Sequence, residues 1–160
     1  MNEHTTKNAP WSNRGERKEG AEGARRTYNT DVFENKIAEA VKSAALHVHK
    51  NLGPGLLESA YEECLAYTLI KEGWSIKRQY PMPLIFEEVK MDIGFRADLI
   101  VENKVLVEIK SVEVLANVAS MQTLTYLRFT GISVGLLINF NVEKLKEGIK
   151  RIANNYKEGT

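Results

Sequence analysis

The chain has 160 residues, 43% of them apolar and 27% charged, with a formal charge of +1; these values suit one soluble domain with a sizeable core and exclude a global basic footprint for nucleic acid. A single cysteine, Cys64, excludes an internal disulfide framework and any four-cysteine metal site, and His4, His47 and His49 make no zinc signature. No apolar run approaches the ~20 residues of a membrane span and no apolar signal core opens the chain, so a cytoplasmic protein without membrane contact is expected.

Residues 1–30 contain no Ile, Leu, Val or Phe. Such a segment cannot bury enough apolar surface to offset its ordering entropy. It is expected to be a disordered polar tail, followed by a single domain over residues 31–160. Asp31 with Glu34 resembles a capping box at the start of a helix. Phe33, Ile37, Val41, Ala44, Val48 and Leu52 continue that helix, and Gly53-Pro54-Gly55 ends it. A second helix is expected from Leu57 to Glu72. Short strands follow at Ile76–Tyr80, Met82–Phe86 and Val89–Ile93, with Pro81 and Pro83 pointing to an edge or to irregular pairing. Phe95–Val101 and Val105–Lys110 carry the clearest strand patterns. A helix over Val118–Phe129 then leads into a buried strand, Gly135–Asn139, which the intervening helix makes parallel to its neighbour. The pattern predicts a last helix over Val142–Asn155.

Asp98, Glu108 and Lys110 sit among β-branched and aliphatic residues, where a charge is costly unless it is paired or holds a metal. Glu108 and Lys110 lie two apart on one strand and share a face. A three-residue loop, Glu102 to Lys104, places Asp98 directly across from Glu108, whereas a two-residue loop would slip the register and move it to the other side. Asn103 tolerates the left-handed conformation of the odd-length loop, which is the expected one. Two carboxylates about 4 Å apart repel by roughly 4 kcal/mol at an effective dielectric of about 20. A hard divalent cation such as Mg²⁺ or Mn²⁺ removes that repulsion. With Lys110 to hold a water or a phosphate oxygen, these parts describe metal-assisted hydrolysis of a phosphodiester. Glu108 and Lys110 also fit a solvated acid–lysine pair on an exposed face. Glu58, in the first turn of the second helix, is favoured there by the helix dipole alone. Gln122 and Tyr126 lie four apart on the third helix and share a face.

Taken together, Gly55-x-x-Glu58-x-x-Tyr61, the Val48–Gly55 lead-in, Arg96-x-Asp98, Val107-Glu-Ile-Lys110, Gln122-x-x-x-Tyr126, Gly135–Phe140 and Lys150-Arg151-Ile152 form a recognisable set. The chain resembles the GxxExxY family, a branch of the PD-(D/E)XK nuclease superfamily, over roughly residues 33–153. Gln-x-x-x-Tyr is also similar to the RecB-like nucleases of that superfamily. The resemblance implies an α/β fold with a restriction-endonuclease-like core: a central mixed β-sheet flanked by helices in αβββαβ order, here with an extra N-terminal helix. It implies Asp98, Glu108 and the Ile109 carbonyl as ligands of Mg²⁺ or Mn²⁺, with Glu58 as a third acidic or water-mediated ligand. Lys110 would be the catalytic lysine, and Gln122 and Tyr126 would position a scissile phosphate or order the site. Ala97 stands where the family name has its proline. The implied activity is that of a nuclease on nucleic acid, DNA first, which a partner protein could target. The competing expectation is a catalytically silent module on the same fold that binds nucleic acid or a protein.

Overall fold

The structure of the protein, a computed structural model, describes residues 23–154. As far as residue 22, the expected polar tail lies outside the described residues. Apolar side chains at helical spacing build the first layer. Helix α1 spans Gly23–Leu52 and α2 spans Glu58–Lys71. They bury Ile37, Val41, Ala44 and Val48 of α1 and Tyr61, Leu65 and Leu69 of α2. Each fully buried Val, Ile or Leu contributes about 1.5–3 kcal/mol.

Between the two helices the chain turns through Gly53 and Gly55, at φ 68° and 98°, values an L side chain adopts only with strain. The Tyr61 hydroxyl fastens this turn. It donates to the Gly53 carbonyl at 2.6 Å and accepts from the Leu56 N–H at 3.1 Å. Its ring stacks on Phe140 with centroids 4.4 Å apart. Tyr61→Phe keeps the stack and leaves the Leu56 N–H without its acceptor. The expected loss is about 1–3 kcal/mol of stability, read as a fall in melting temperature.

Among the described residues the sheet has five strands in the order β1 to β5: Ile76–Phe86, Val89–Val101, Val105–Lys110, Val134–Asn139 and Ile149–Ala153. β3 and β4 pair in parallel and the other neighbours are antiparallel. The crossover between β3 and β4 is helix α3, Asn117–Thr130. Val105, Val107 and Ile109 face the α1/α2 layer, while Ile100 and Leu106 pack with Tyr126 and Leu127 of α3 on the other side. β4 is buried along its whole length, as a strand covered on both faces must be. The fold is therefore a mixed sheet between helices, consistent with a restriction-endonuclease-like core.

Three elements differ from the sequence-based expectation. Helix α1 begins eight residues before Asp31, so Asp31 and Glu34 lie inside the helix instead of capping it, and Glu34 is buried. Residues 24–26, Ala-Arg-Arg, are good helix formers and extend it. The short strands before residue 101 merge into two long ones, β1 and β2, and the proline-rich stretch is accommodated by a register shift between Pro83 and Leu84. The helix predicted over Val142–Asn155 is corrected. Only Leu145–Gly148 is helical, as α4, and Ile149–Ala153 forms β5; residue 155 lies outside the described residues. β4 would otherwise present an open edge, and pairing that edge outweighs local helical periodicity. At the switch stands Gly148, where a Cβ would collide with the Asn139 carbonyl.

Candidate active site

The Glu102–Lys104 loop has three residues, and Val101 pairs with Val105. Asn103 takes φ of 55°, the left-handed conformation expected of it, and Glu102 takes φ of 53°, which was not foreseen. The ladder continues through Ile100 and Leu106 to Leu99 and Val107, which sets Asp98 level with Glu108. There the side chains take over from the backbone. The Ile109 N–H donates to Asp98 Oδ2 at 2.7 Å, and the Asp98 N–H donates to Glu108 Oε1 at 3.4 Å. Each acid is thus bound to the other's strand.

On the opposite side of Asp98 the β1–β2 ribbon reverses its faces. Regular alternation would put Ile76, Arg78, Tyr80 and Met82 on one face. Instead Ile76 packs in the α1/α2 layer and Arg78 bonds Glu62 and Glu63 of α2, while Tyr80 and Met82 join the α3 layer. Their partners switch in the same way, Leu99 to one layer and Ala97 to the other. The change falls at Gln79, level with Asp98, whose φ of 46° is rare outside glycine. A strained residue of this kind costs on the order of 1–3 kcal/mol, and such residues cluster at functional sites. The Gln79 amide donates to Glu62 Oε2 at 2.6 Å and to Asp98 Oδ1 at 3.4 Å.

Helix α2 therefore brings two acids to the sheet, Glu58 and Glu62, one turn apart on one face. Glu62 is buried at 7% exposure; Glu58 is exposed and its Oε1 accepts from the Ser111 N–H at 3.2 Å. Burial pushes Asp98 above its ordinary value, and the charge of Glu62 adds to this. Burial, then the charge of Asp98, pushes Glu108 up to about 8. Lys110 counters both shifts but does not cancel them. The Gln122 amide donates to the Tyr126 hydroxyl at 2.8 Å, and burial followed by the charge of Glu108 pushes that phenol up to about 12. Asp98, Glu108, Lys110 and Tyr126 thus share one electrostatic environment.

Beyond Lys110 the chain is tied down by Asn139, a buried residue at the end of β4. Its side chain accepts from the Val112 and Asn141 N–H groups at 3.1 and 3.2 Å and donates to the Val112 carbonyl at 2.9 Å. The Ser111 hydroxyl donates to the Leu56 carbonyl at 2.6 Å. His49 is structural, its Nε2 lying 2.8 Å from the Val142 carbonyl oxygen.

Of the residues singled out from the sequence, the structure joins Asp98 to Glu108 through Ile109, sets Lys110 beside them, and pairs Gln122 with Tyr126. Glu58 is turned toward the Ser111 amide, and among the described residues no three His, Cys, Asp or Glu side chains are grouped to hold a metal ion. Glu62, Gln79 and Asn139 were not foreseen. An acid one helical turn after Glu58 was the one available signal for Glu62.

No described helix is long and apolar enough to cross a membrane. No curated protein matches the chain. Among solved structures, the crystal structure of SSO0001 is similar at 19% identity and a TM-score of 0.48, over 62% of this chain and 51% of that one, so the chain spans about half the length of that relative. A family model described as the PD-(D/E)XK nuclease superfamily matches residues 35–152. That match runs from α1 into β5 and takes in Glu58, Asp98, Glu108 and Lys110 alike, so the chain belongs to the PD-(D/E)XK nuclease superfamily.

Proposed function

We propose that the protein is a divalent-metal-dependent nuclease that hydrolyses phosphodiester bonds in DNA, and that it falls in the GxxExxY branch of its superfamily. The observation that carries this reading is the interlocked Asp98–Glu108 pair beside Lys110, where burial raises both carboxyls, the charge of Asp98 raises Glu108 further and that of Glu62 adds to Asp98. Nucleases of this superfamily typically use divalent metals. The donor set fits a hard cation: two adjacent oxygen ligands whose negative charge only one lysine opposes. Asp98, Glu108 and the Ile109 carbonyl would hold Mg²⁺ or Mn²⁺, with Glu58 reaching it directly or through water. Bound there, the cation supplies charge neutralisation and Lewis acidity at the phosphoryl group.

The protein's own groups have separate tasks. Lys110 orients the attacking water, and its charge eases the loss of that water's proton to solvent and faces the anion that forms. Tyr126 stays protonated at neutral pH and can donate a hydrogen bond to a phosphate oxygen. Gln122 fixes the direction of that phenol. The ties from Ser111 to Glu58 and Leu56 hold the mouth of the site in register with α2.

A second reading has one observation in its favour. Glu58 is engaged by the Ser111 amide and does not converge with the other acids, as suits a catalytically silent fold that binds nucleic acid or a protein partner. A cleavage assay on single- and double-stranded DNA and RNA, with and without Mn²⁺, decides between them. Metal-dependent cutting that Asp98→Ala abolishes supports the nuclease. No cutting of any substrate, with no Mg²⁺-dependent rise in melting temperature, supports the silent module. If cutting appears only on addition of a partner protein, the nuclease depends on that partner for targeting.

A further inference from the structure

The two oxygens of Asp98 are held from different sides. Oδ2 takes the Ile109 N–H at 2.7 Å, and Oδ1 takes the Gln79 amide at 3.4 Å. The same Gln79 nitrogen donates to Glu62 Oε2 at 2.6 Å, while Arg78 Nε donates to Glu62 Oε1 at 3.2 Å. Only the nitrogen end of an amide can face two carboxylates, so these partners fix its orientation. The backbone shares in the arrangement, since the left-handed φ of Gln79 is what turns its side chain toward α2.

From this geometry we infer that Gln79, anchored by the buried carboxylate of Glu62, is a positioning residue that sets the orientation of the Asp98 carboxylate for a cation. The inference rests on the reading of Asp98 as a ligand. The residue types suit the task. A neutral amide gives one N–H to each carboxylate and bridges two groups that would otherwise repel. A lysine at position 79 would orient Asp98 equally well but would neutralise the charge that a cation needs. Arg78 fixes the far oxygen of Glu62, so the row Arg78, Glu62, Gln79, Asp98 runs from the surface of α2 to the pair at the centre of the site. Partners behind a metal ligand commonly matter about 10- to 100-fold in metal affinity.

Gln79→Gly is the decisive variant, because glycine adopts a φ of 46° freely and the fold is retained. Two measurements on the full chain are needed: the NMR signal of the Ile109 amide in metal-free protein, and Mn²⁺ affinity by calorimetry. In Gln79→Gly the Ile109 signal is expected to shift and broaden as Asp98 loses its second partner, and Mn²⁺ affinity to fall about 10- to 100-fold. Glu62→Leu should reproduce both effects. Glu62→Gln keeps an acceptor for the Gln79 amide and should recover most of the affinity lost in Glu62→Leu. An unmoved Ile109 signal with unchanged Mn²⁺ affinity in Gln79→Gly overturns the inference. So does Glu62→Gln falling as far as Glu62→Leu, which would make Glu62 act by its charge. If the wild type binds no Mn²⁺ and cuts nothing, the nuclease reading falls separately, and the Ile109 signal alone still decides whether Gln79 orients Asp98.

Discussion

Lys110→Ala is expected to lower metal-dependent cleavage about 10²- to 10⁴-fold, the range for removing a positioned acid–base group. Lys110 ends β3, on the same face as Glu108, and its backbone carbonyl accepts from the Phe140 N–H at 2.8 Å. That hydrogen bond survives truncation of the side chain, so the strand keeps its place and the loss falls on kcat. Mn²⁺ affinity should not weaken, because the ammonium competes with the cation for the same carboxylates. Lys110→Arg is expected to rescue only partly: a guanidinium keeps the charge, but its planar fork does not place that charge as a compact ammonium does. Single-turnover cleavage in saturating Mn²⁺, with circular dichroism to check the fold, measures the effect. Cutting by Lys110→Ala at the wild-type rate would remove Lys110 from the mechanism.

The second large effect is on stability and its sign follows from Glu108. In the folded protein its carboxyl is raised to about 8 from an ordinary 4.5, with only 4% of the residue exposed. Between those values the native state holds a proton that the unfolded state has released. Stability therefore falls as pH rises through this window, by up to about 1.4 kcal/mol per pH unit, and the loss is complete above the folded value. Asp98 is raised too and works in the same direction. Glu108→Gln removes the proton linkage and keeps the shape. At pH 8 it is expected to be more stable than the wild type by about 2–4 kcal/mol, or about 5–10 °C in melting temperature. At pH 5 the two proteins should melt nearly together. Mg²⁺ at about 100 times its Kd should return about 2.7 kcal/mol to the wild type at pH 8 and much less to Glu108→Gln. A wild type whose melting temperature is level from pH 5 to 8 would contradict the charge balance described for the site.

Much of this centre could be seen in the chain because its geometry is local. The register of β2 on β3 depends on three loop residues, and a left-handed Asn103 is a feature that composition can signal. The other half of the site depends on tertiary contacts. A glutamine at φ 46° has no sequence signature, and without it the face reversal at Gln79 could not be foreseen. Period-two reasoning assumes unbroken alternation, and here it fails at Gln79, level with Asp98. In the sequence little sets Glu62 apart from Glu63, because its burial depends on where Arg78 and Gln79 arrive from another element. β5 was hidden for a related reason: Val142, Leu145, Ile149 and Ile152 recur at helical spacing, and only pairing with the open side of β4 overrides it.

The Asn139 side chain fastens both connections that leave the parallel pair, after β3 at Val112 and after β4 at Asn141. The segment carrying Lys110 and Ser111 thus loses its conformational freedom when the chain folds, not when a substrate arrives. Less entropy remains to be lost on association, so more of the interaction energy with a nucleic acid strand can appear as affinity or be used to reach the transition state. On the nuclease reading, the segment carrying Lys110 is preorganised by an amide that need not touch the substrate at all.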